Sequence, residues 1–210
     1  MSLLMPERDQ VLAAHIAGVL TDIVEHAAAD PSSRRPSPLP DARAGSRARD
    51  ELGVDRDQLK AALGTFGSGV TIVTGMHDGA PAGFTCQSFF SVSLDPPLVA
   101  LSVMSTSTTY PTIRDAHRIA ISVLAEDQRE LSNQFARSGT DKWAGVAWAA
   151  TPGGAPVIAG CVSWFECEIE SEIEAGDHIV VIARVTALRG SQDARPPLMY
   201  WSGGYQRFEA

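Results

Sequence analysis

Five hydroxyl side chains stand in a row at Ser105-Thr106-Ser107-Thr108-Thr109, directly before Tyr110-Pro111. Proline suits the first turn of a helix. The unpaired backbone N–H groups there, together with the hydroxyls, form a cradle for an anion such as a phosphate. The plainer reading is that one Thr caps the helix and the rest are loop residues. A second stretch, Gly83-Phe84-Thr85-Cys86-Gln87-Ser88, interleaves small and hydrogen-bonding residues along a strand. A flat conjugated ring needs such a surface, close to backbone and supplied with donors and acceptors for its polar edge, although an ordinary hairpin strand has the same composition. A nucleophilic Cys86 would need a His or a helix N-terminus beside it to lower its pKa, so packing is the expected role of Cys86, as of Cys161 and Cys167. His178 follows Gly176-Asp177 at a strand start, and a lone His in such a turn is most often structural.

Other chemistries find little support. The glutamates from Glu166 to Glu174 read as a solvated strand face, because exposed like charges have no reason to separate in pKa. Gly-x-Ser-x-Gly is missing, and neither G-x-G-x-x-G nor G-x-x-x-x-G-K-[ST] follows a strand. His15 and His26 share one side of a helical segment but lack a carboxylate or thiolate partner, so no metal site is expected. The 210 residues carry 17 basic and 25 acidic side chains, a net charge of −8. A phosphate-backbone binder needs clustered Lys and Arg, so nucleic acid is not an expected partner. Three cysteines cannot all pair within the chain, no stretch approaches the roughly 20 apolar residues of a membrane span, and no signal-type leader is visible. A cytoplasmic protein with no membrane partner is the expectation.

The elements that must position these residues follow from periodicity. Leu12, Ile16, Val19, Leu20, Ile23 and Val24 lie on one helical face, predicting an N-terminal amphipathic helix within residues 1–29. Residues 30–50 hold four Pro, four Ser and five Arg with Leu39 as the only large apolar side chain, the composition of a linker. The folded domain is expected over residues 51–210. It opens with a helix from Asp55 through Leu59 and Leu63 to about Phe66, ended by Gly67 and Gly69. Period-two patterning then predicts a strand at Val70–Thr74, a turn at His77-Asp78-Gly79 and a partner strand at Phe84–Val92. Pro96-Pro97 precedes a strand at Leu98–Val103. In Phe165–Ile173 apolar residues alternate with glutamates, and Ile179–Leu188 is apolar enough to be covered on both faces. Helices are expected at Tyr110–Ala116 and Asp127–Phe135. Strands dominate, so a closed or partly closed antiparallel barrel with peripheral helices is the economical architecture.

Taken together these residues resemble a known family. Ser68-Gly69-Val70-Thr71-Ile72-Val73-Thr74, Gly83-Phe84-Thr85 with Gln87-Ser88-Phe89, and Ser91-Val92-Ser93-Leu94-Asp95-Pro96-Pro97-Leu98 are similar to the front half of the short-chain flavin reductases. These are the reductase components of two-component flavin-dependent monooxygenases. Leu124 with Gln128, Leu131-Ser132, Phe135-Ala136, Asp141-Lys142-Trp143, Gly176-Asp177-His178, and Pro197-Leu198 leading to Gly203-x-Tyr205 continue the resemblance in order. It covers roughly residues 55 to 208 and does not reach residues 1 to 50.

The resemblance implies a mainly β fold, an antiparallel Greek-key split β-barrel, forming a homodimer with flavin near the subunit interface. It implies that Pro81, Ala82, Gly83, Phe84 and Thr85 border the isoalloxazine, with Gln87 and Ser88 following along the strand. Ser102, Val103 and Met104 would end the neighbouring strand, Ser105, Thr108 and Thr109 would meet the phosphate, and Gln134 and Phe135 would close over the tail. His178 and the segment Trp201-Ser202-Gly203-Gly204 would shape the nicotinamide pocket. The implied reaction moves hydride from NADH or NADPH to FMN or FAD, and the reduced flavin leaves for a separate monooxygenase. Such chemistry belongs to the two cofactors, with the protein supplying proximity and orientation. His178 is then the implied catalytic side chain, polarising or positioning the nicotinamide. Two alternatives remain open: a barrel that holds its flavin tightly and reduces another small acceptor, and a non-catalytic flavin- or haem-binding barrel. Nothing in the residues chooses between the two flavins or the two nicotinamides.

Overall fold

The computed structural model of the chain describes residues 53–190 and 195–207. The N-terminal helix expected within residues 1–29 and the linker at 30–50 lie outside the described residues. Helix α1 (Arg56–Leu63) starts where Asp55 accepts hydrogen bonds from the N–H groups of Asp57 and Gln58, both at 3.0 Å, the usual way a carboxylate satisfies orphan donors. It ends three residues before Phe66, where the Thr65 and Phe66 N–H groups turn to the carbonyls three residues back, Ala62 and Leu63, in place of the helical four. After the short strand β1 (Ser68–Gly69) comes β2 (Thr71–His77), and Asp78-Gly79 turns the chain directly into β3 (Ala80–Cys86). Both turn residues have positive φ, 50° and 76°, as the favoured two-residue hairpin requires. Such a turn pairs its flanking residues at once, His77 with Ala80. The partner strand therefore begins four residues earlier than the sequence pattern predicts. It also stops at Cys86, and the rest of the expected strand becomes β4 (Phe90–Leu94), which pairs with β5 (Pro97–Met104).

Helix α2 (Tyr110–Arg114), strand β6 (Ile119–Val123), a 3-10 turn (Glu126–Gln128) and α3 (Arg129–Ala136) follow. Next come a small hairpin of β7 (Trp148–Ala150) and β8 (Pro156–Ile158), and the long pair β9 (Ser163–Ala175) and β10 (His178–Arg189). Strands β11 (Met199–Trp201) and β12 (Gly204–Gln206) close the described chain in a small sheet where β11 pairs with β1 on one side and β12 on the other. The main sheet is antiparallel throughout with seven strands in the order β3-β2-β6-β9-β10-β5-β4.

This order places consecutive strands β3 and β4 at opposite edges. A flat sheet of this size would hold its edges about 29 Å apart, yet the path from Cys86 to Phe90 reaches at most about 14 Å. The sheet therefore curls until its edges approach each other. Among the described residues β3 and β4 are not paired with one another, so the closed form of the barrel is not observed and a seam remains. The concave side is filled by Val73, Val99, Leu101, Ile121, Cys167 and Val181 with Tyr110 and Ile113 of α2. Strand β2 is buried on both faces, since Ile72, with Val70 just before the strand, packs outward against Leu124, Phe135, Ile158 and Leu198. In β10 burial is continuous only from Val181 to Ala183, and Leu188 is exposed, so the double coverage expected over the whole apolar run holds for its first half alone.

The glutamate face of β9 is also drier than its pattern predicts. Glu166 is only 1% exposed: Oε2 accepts from the Gly153 N–H at 3.1 Å, and Oε1 lies 3.7 Å from an Arg118 guanidinium nitrogen. Arg118 also holds Glu168 at 2.7 Å, Arg184 holds Glu170 at 2.8 Å, and Glu172 accepts from the buried Tyr110 hydroxyl. Alternation along one strand registers side, but the loop at Gly153 and the arginines on neighbouring elements decide which glutamates lose water. Arg118→Ala leaves the Glu166 carboxylate buried without its cation. A loss of roughly 2 kcal/mol is expected, below the full cost for a dry pair because Arg118 itself is partly solvated; the urea midpoint measures it.

Candidate functional site

The curl brings the two stretches singled out in the sequence onto one cavity of about 630 Å³ at the seam. One wall is Phe84, Thr85, Cys86, Gln87 and Ser88 from the end of β3 and the link to β4. Ser102, Val103 and Met104 of β5 form the other, with Thr106, Ser107, Thr108 and Thr109 at one end. Phe135, Ala136, Ser138, Lys142 and His178 complete the lining. The walls are held by Ser88, whose Oγ accepts from the Ser102 N–H at 2.7 Å and donates to the Ser102 carbonyl at 2.9 Å.

Several site residues expected from the sequence have tasks other than lining. The Ser105 hydroxyl donates to the Asp177 carbonyl at 3.0 Å, as does its N–H, so Ser105 ties the hydroxyl turn to the turn before His178. Ser107 is the residue that caps α2, accepting from the Tyr110 N–H at 3.1 Å, while Thr109 at the cap position makes no side-chain capping bond. This leaves Thr106, Thr108 and Thr109 in the lining with hydroxyls not spent on the helix. Gln134 donates from Nε2 to the carbonyls of Lys142 and Ala144, both at 3.0 Å, which fixes the loop after α3. Gly83 lies behind the wall: a Cβ there would meet the Phe135 ring at 2.6 Å. Pro81 and Ala82, farther along β3, are not in the lining, and neither are Trp201, Ser202, Gly203 and Gly204 of the same chain. Trp201 instead donates from Nε1 to the Thr65 carbonyl at 3.0 Å.

His178 enters the cavity at the first residue of β10, opposite Met104, and its Nδ1 is 2.8 Å from the Asp177 carboxylate. Lys142 is the residue that the reading of motifs underused. Its Nζ donates to the Gly83 carbonyl at 3.2 Å and to Thr109 Oγ1 at 3.5 Å, and partial burial lowers its pKa from the ordinary lysine value. It is the one Lys or Arg in the described lining, at the hydroxyl-rich end where an anion would gain most from it. The signal available in sequence was the Asp141-Lys142-Trp143 triplet, but only the fold carries that loop over β3.

The thiols are quiet. Burial pushes Cys86 and Cys161 up from 9.0, and Cys167 up to about 12. A raised thiol keeps its proton, so these groups contribute their full stability below the unfolded value near 9.0 and lose it as pH rises toward the folded values. Alkylation by iodoacetamide at pH 8 is expected to be much slower in the native protein than in urea; equal rates would contradict the packing role. Gly83→Ala forces the Phe135 ring aside and is expected to cost about 1–3 kcal/mol in thermal or urea unfolding.

Comparison with known proteins agrees with this geometry. Stachydrine N-demethylase reductase subunit Stc3 of Rhizobium meliloti (strain 1021) is 43% identical over 152 residues, which are 72% of this chain and 65% of that protein's own length. Nitrilotriacetate monooxygenase component B from Mycobacterium thermoresistibile superposes with a TM-score of 0.71 at 36% identity, covering 74% of this chain and 87% of that one. The Streptomyces globisporus C-1027 NADH:FAD oxidoreductase SgcE6, solved with NAD and FAD fragments, gives 0.69 at 33% identity over 82% of this chain and 98% of that one. Residues 63–209 match the flavin reductase like domain family, and the chain belongs to that family.

Proposed function

We propose that the protein is an NAD(P)H:flavin oxidoreductase that passes hydride from NADH or NADPH to FMN or FAD and supplies the reduced flavin to a separate monooxygenase. The observation that carries this reading is the seam cavity, which joins a strand wall, a hydroxyl turn with a cation and a histidine. The residues fit a flavin: about 630 Å³ accommodates a tricyclic ring with part of its tail, and Lys142 with Thr106, Thr108 and Thr109 matches a phosphate. The relatives' names, a demethylase reductase subunit, a monooxygenase component B and an NADH:FAD oxidoreductase, support the same class.

When bound, flavin supplies a two-electron acceptor at N5. The chain's own part is binding and orientation. Phe84 to Ser88 offer a flat wall and Ser102 to Met104 the facing edge. The Lys142 ammonium, already partly stripped of water, holds the tail's negative charge. With His178 Nδ1 held by the Asp177 carboxylate, Nε2 is the nitrogen that meets a nicotinamide carboxamide. No side chain has to donate or remove a proton in the hydride step.

In this reading the curled sheet is a split barrel. A homodimer covers apolar side chains left in water, among them Phe66 at 79% and Leu63 at 63% exposure with the half-exposed Trp201. An exchangeable flavin is favoured over a fixed one because Met104 and Thr106 on the rim stand in solvent.

One spectrophotometric matrix of NADH or NADPH against FMN or FAD tests the activity. Nucleotide oxidation that depends on added flavin is expected, and no turnover in any of the four combinations removes the proposal. Lys142→Met should weaken FMN binding about ten-fold and leave riboflavin, which lacks the phosphate, unchanged. His178→Ala should raise the nicotinamide KM several-fold with flavin affinity intact.

A further inference from the structure

We infer that Tyr205 is a positioning residue for the ligand-facing strand, acting from the C-terminal hairpin through Ser132 on Thr85. This rests on reading the seam cavity as a flavin site. Tyr205 lies on β12, and among the described residues of that hairpin none lines the cavity. Its hydroxyl is 2.9 Å from Asn133 Oδ1, an atom with only lone pairs, so the phenol proton points there. The phenol oxygen, also 2.9 Å from Ser132 Oγ, is then the acceptor for the Ser132 hydroxyl. Ser132 is fully buried in α3, and its main-chain carbonyl accepts from Thr85 Oγ1 at 2.6 Å. The arrangement is braced by the Arg129 guanidinium 5.3 Å from the Tyr205 ring centre and by Tyr200 packed edge-on at 5.3 Å.

Among the described residues strand β3 is a sheet edge, and no further strand fixes its outer side. α3 takes that place, with Phe135 against Gly83 and the Ser132 carbonyl holding Thr85. The phenol in turn fixes α3 at the same turn. Two consequences follow for a ligand. Thr85 keeps one orientation, and its hydroxyl proton is committed to Ser132, so it meets the ligand with lone pairs. The C-terminal Gly203-x-Tyr205 pattern thereby acts on the cavity without entering it.

The test is a cycle of Tyr205→Phe, Thr85→Val and the double variant in the full chain, read as the Kd for FMN and for riboflavin by fluorescence quenching and as KM for each substrate. Tyr205→Phe should weaken both flavins to a similar extent, by roughly five-fold, with the nicotinamide KM unchanged. The double variant should bind no more weakly than Thr85→Val alone, because the link is broken once. An unchanged flavin Kd in Tyr205→Phe, or losses that simply add, overturns the relay. Circular dichroism establishes that each variant is folded; if Tyr205→Phe is not, Ser132→Ala breaks the same link and is read by the same criteria. Parent protein that binds neither flavin overturns the flavin reading itself, whereas parent protein that binds while Tyr205→Phe binds equally well overturns this inference alone.

Discussion

Three residues, Gln87, Ser88 and Phe89, carry the chain from one edge of a seven-stranded sheet to the other, and that short tether governs the molecule. It forces the sheet to curl, since no flat arrangement lets so few residues reach. The curl gives the sheet an inner face with its own apolar filling and leaves a seam where the edges meet without pairing. Ser88 stands at that seam with its hydroxyl satisfying both backbone groups of Ser102. A sheet edge normally exposes unpaired donors and acceptors; here part of one edge becomes the wall of a cavity.

The cavity's chemistry follows from the same constraint. Strands β5 and β10 are neighbours, so the turn after Met104 and the turn before His178 lie side by side, and Ser105 bonds one to the other. The hydroxyl turn and the histidine are thus tied to each other. Opposite them, α3 backs the free edge of β3 and the following loop swings Lys142 over the Gly83 carbonyl. The strand walls, the hydroxyl turn, the lysine and the histidine come from four separate regions of the chain, held together by hydrogen bonds among themselves. This is preorganisation of the kind that lets binding energy serve orientation.

Side chains outside the cavity carry as much of the design as those within it. Gly83 is needed because Phe135 occupies the space of its side chain, and Gln134 spends its amide on the Lys142 loop. Ser105 likewise uses its hydroxyl on a backbone partner, the Asp177 carbonyl. The motif residues of this chain therefore divide into those that line the cavity and those that hold the lining in place.

Much of this was legible in the sequence alone. Asp78-Gly79 demanded a tight hairpin, the alternation from Phe165 to Ile173 demanded a strand, and the order of motifs from Ser68 to Tyr205 pointed to the family and to both walls of the cavity. Such signals are local: turn chemistry and period depend on residues within a few positions of each other. Only the tertiary structure decided that Glu166 is buried while Glu168 is exposed and that Lys142 stands over β3. It also decided that Trp201 to Gly204 do not line the cavity of their own chain, and where β3 ends. Each of these depends on what a distant segment brings alongside. Spacing along the chain carries no record of those meetings.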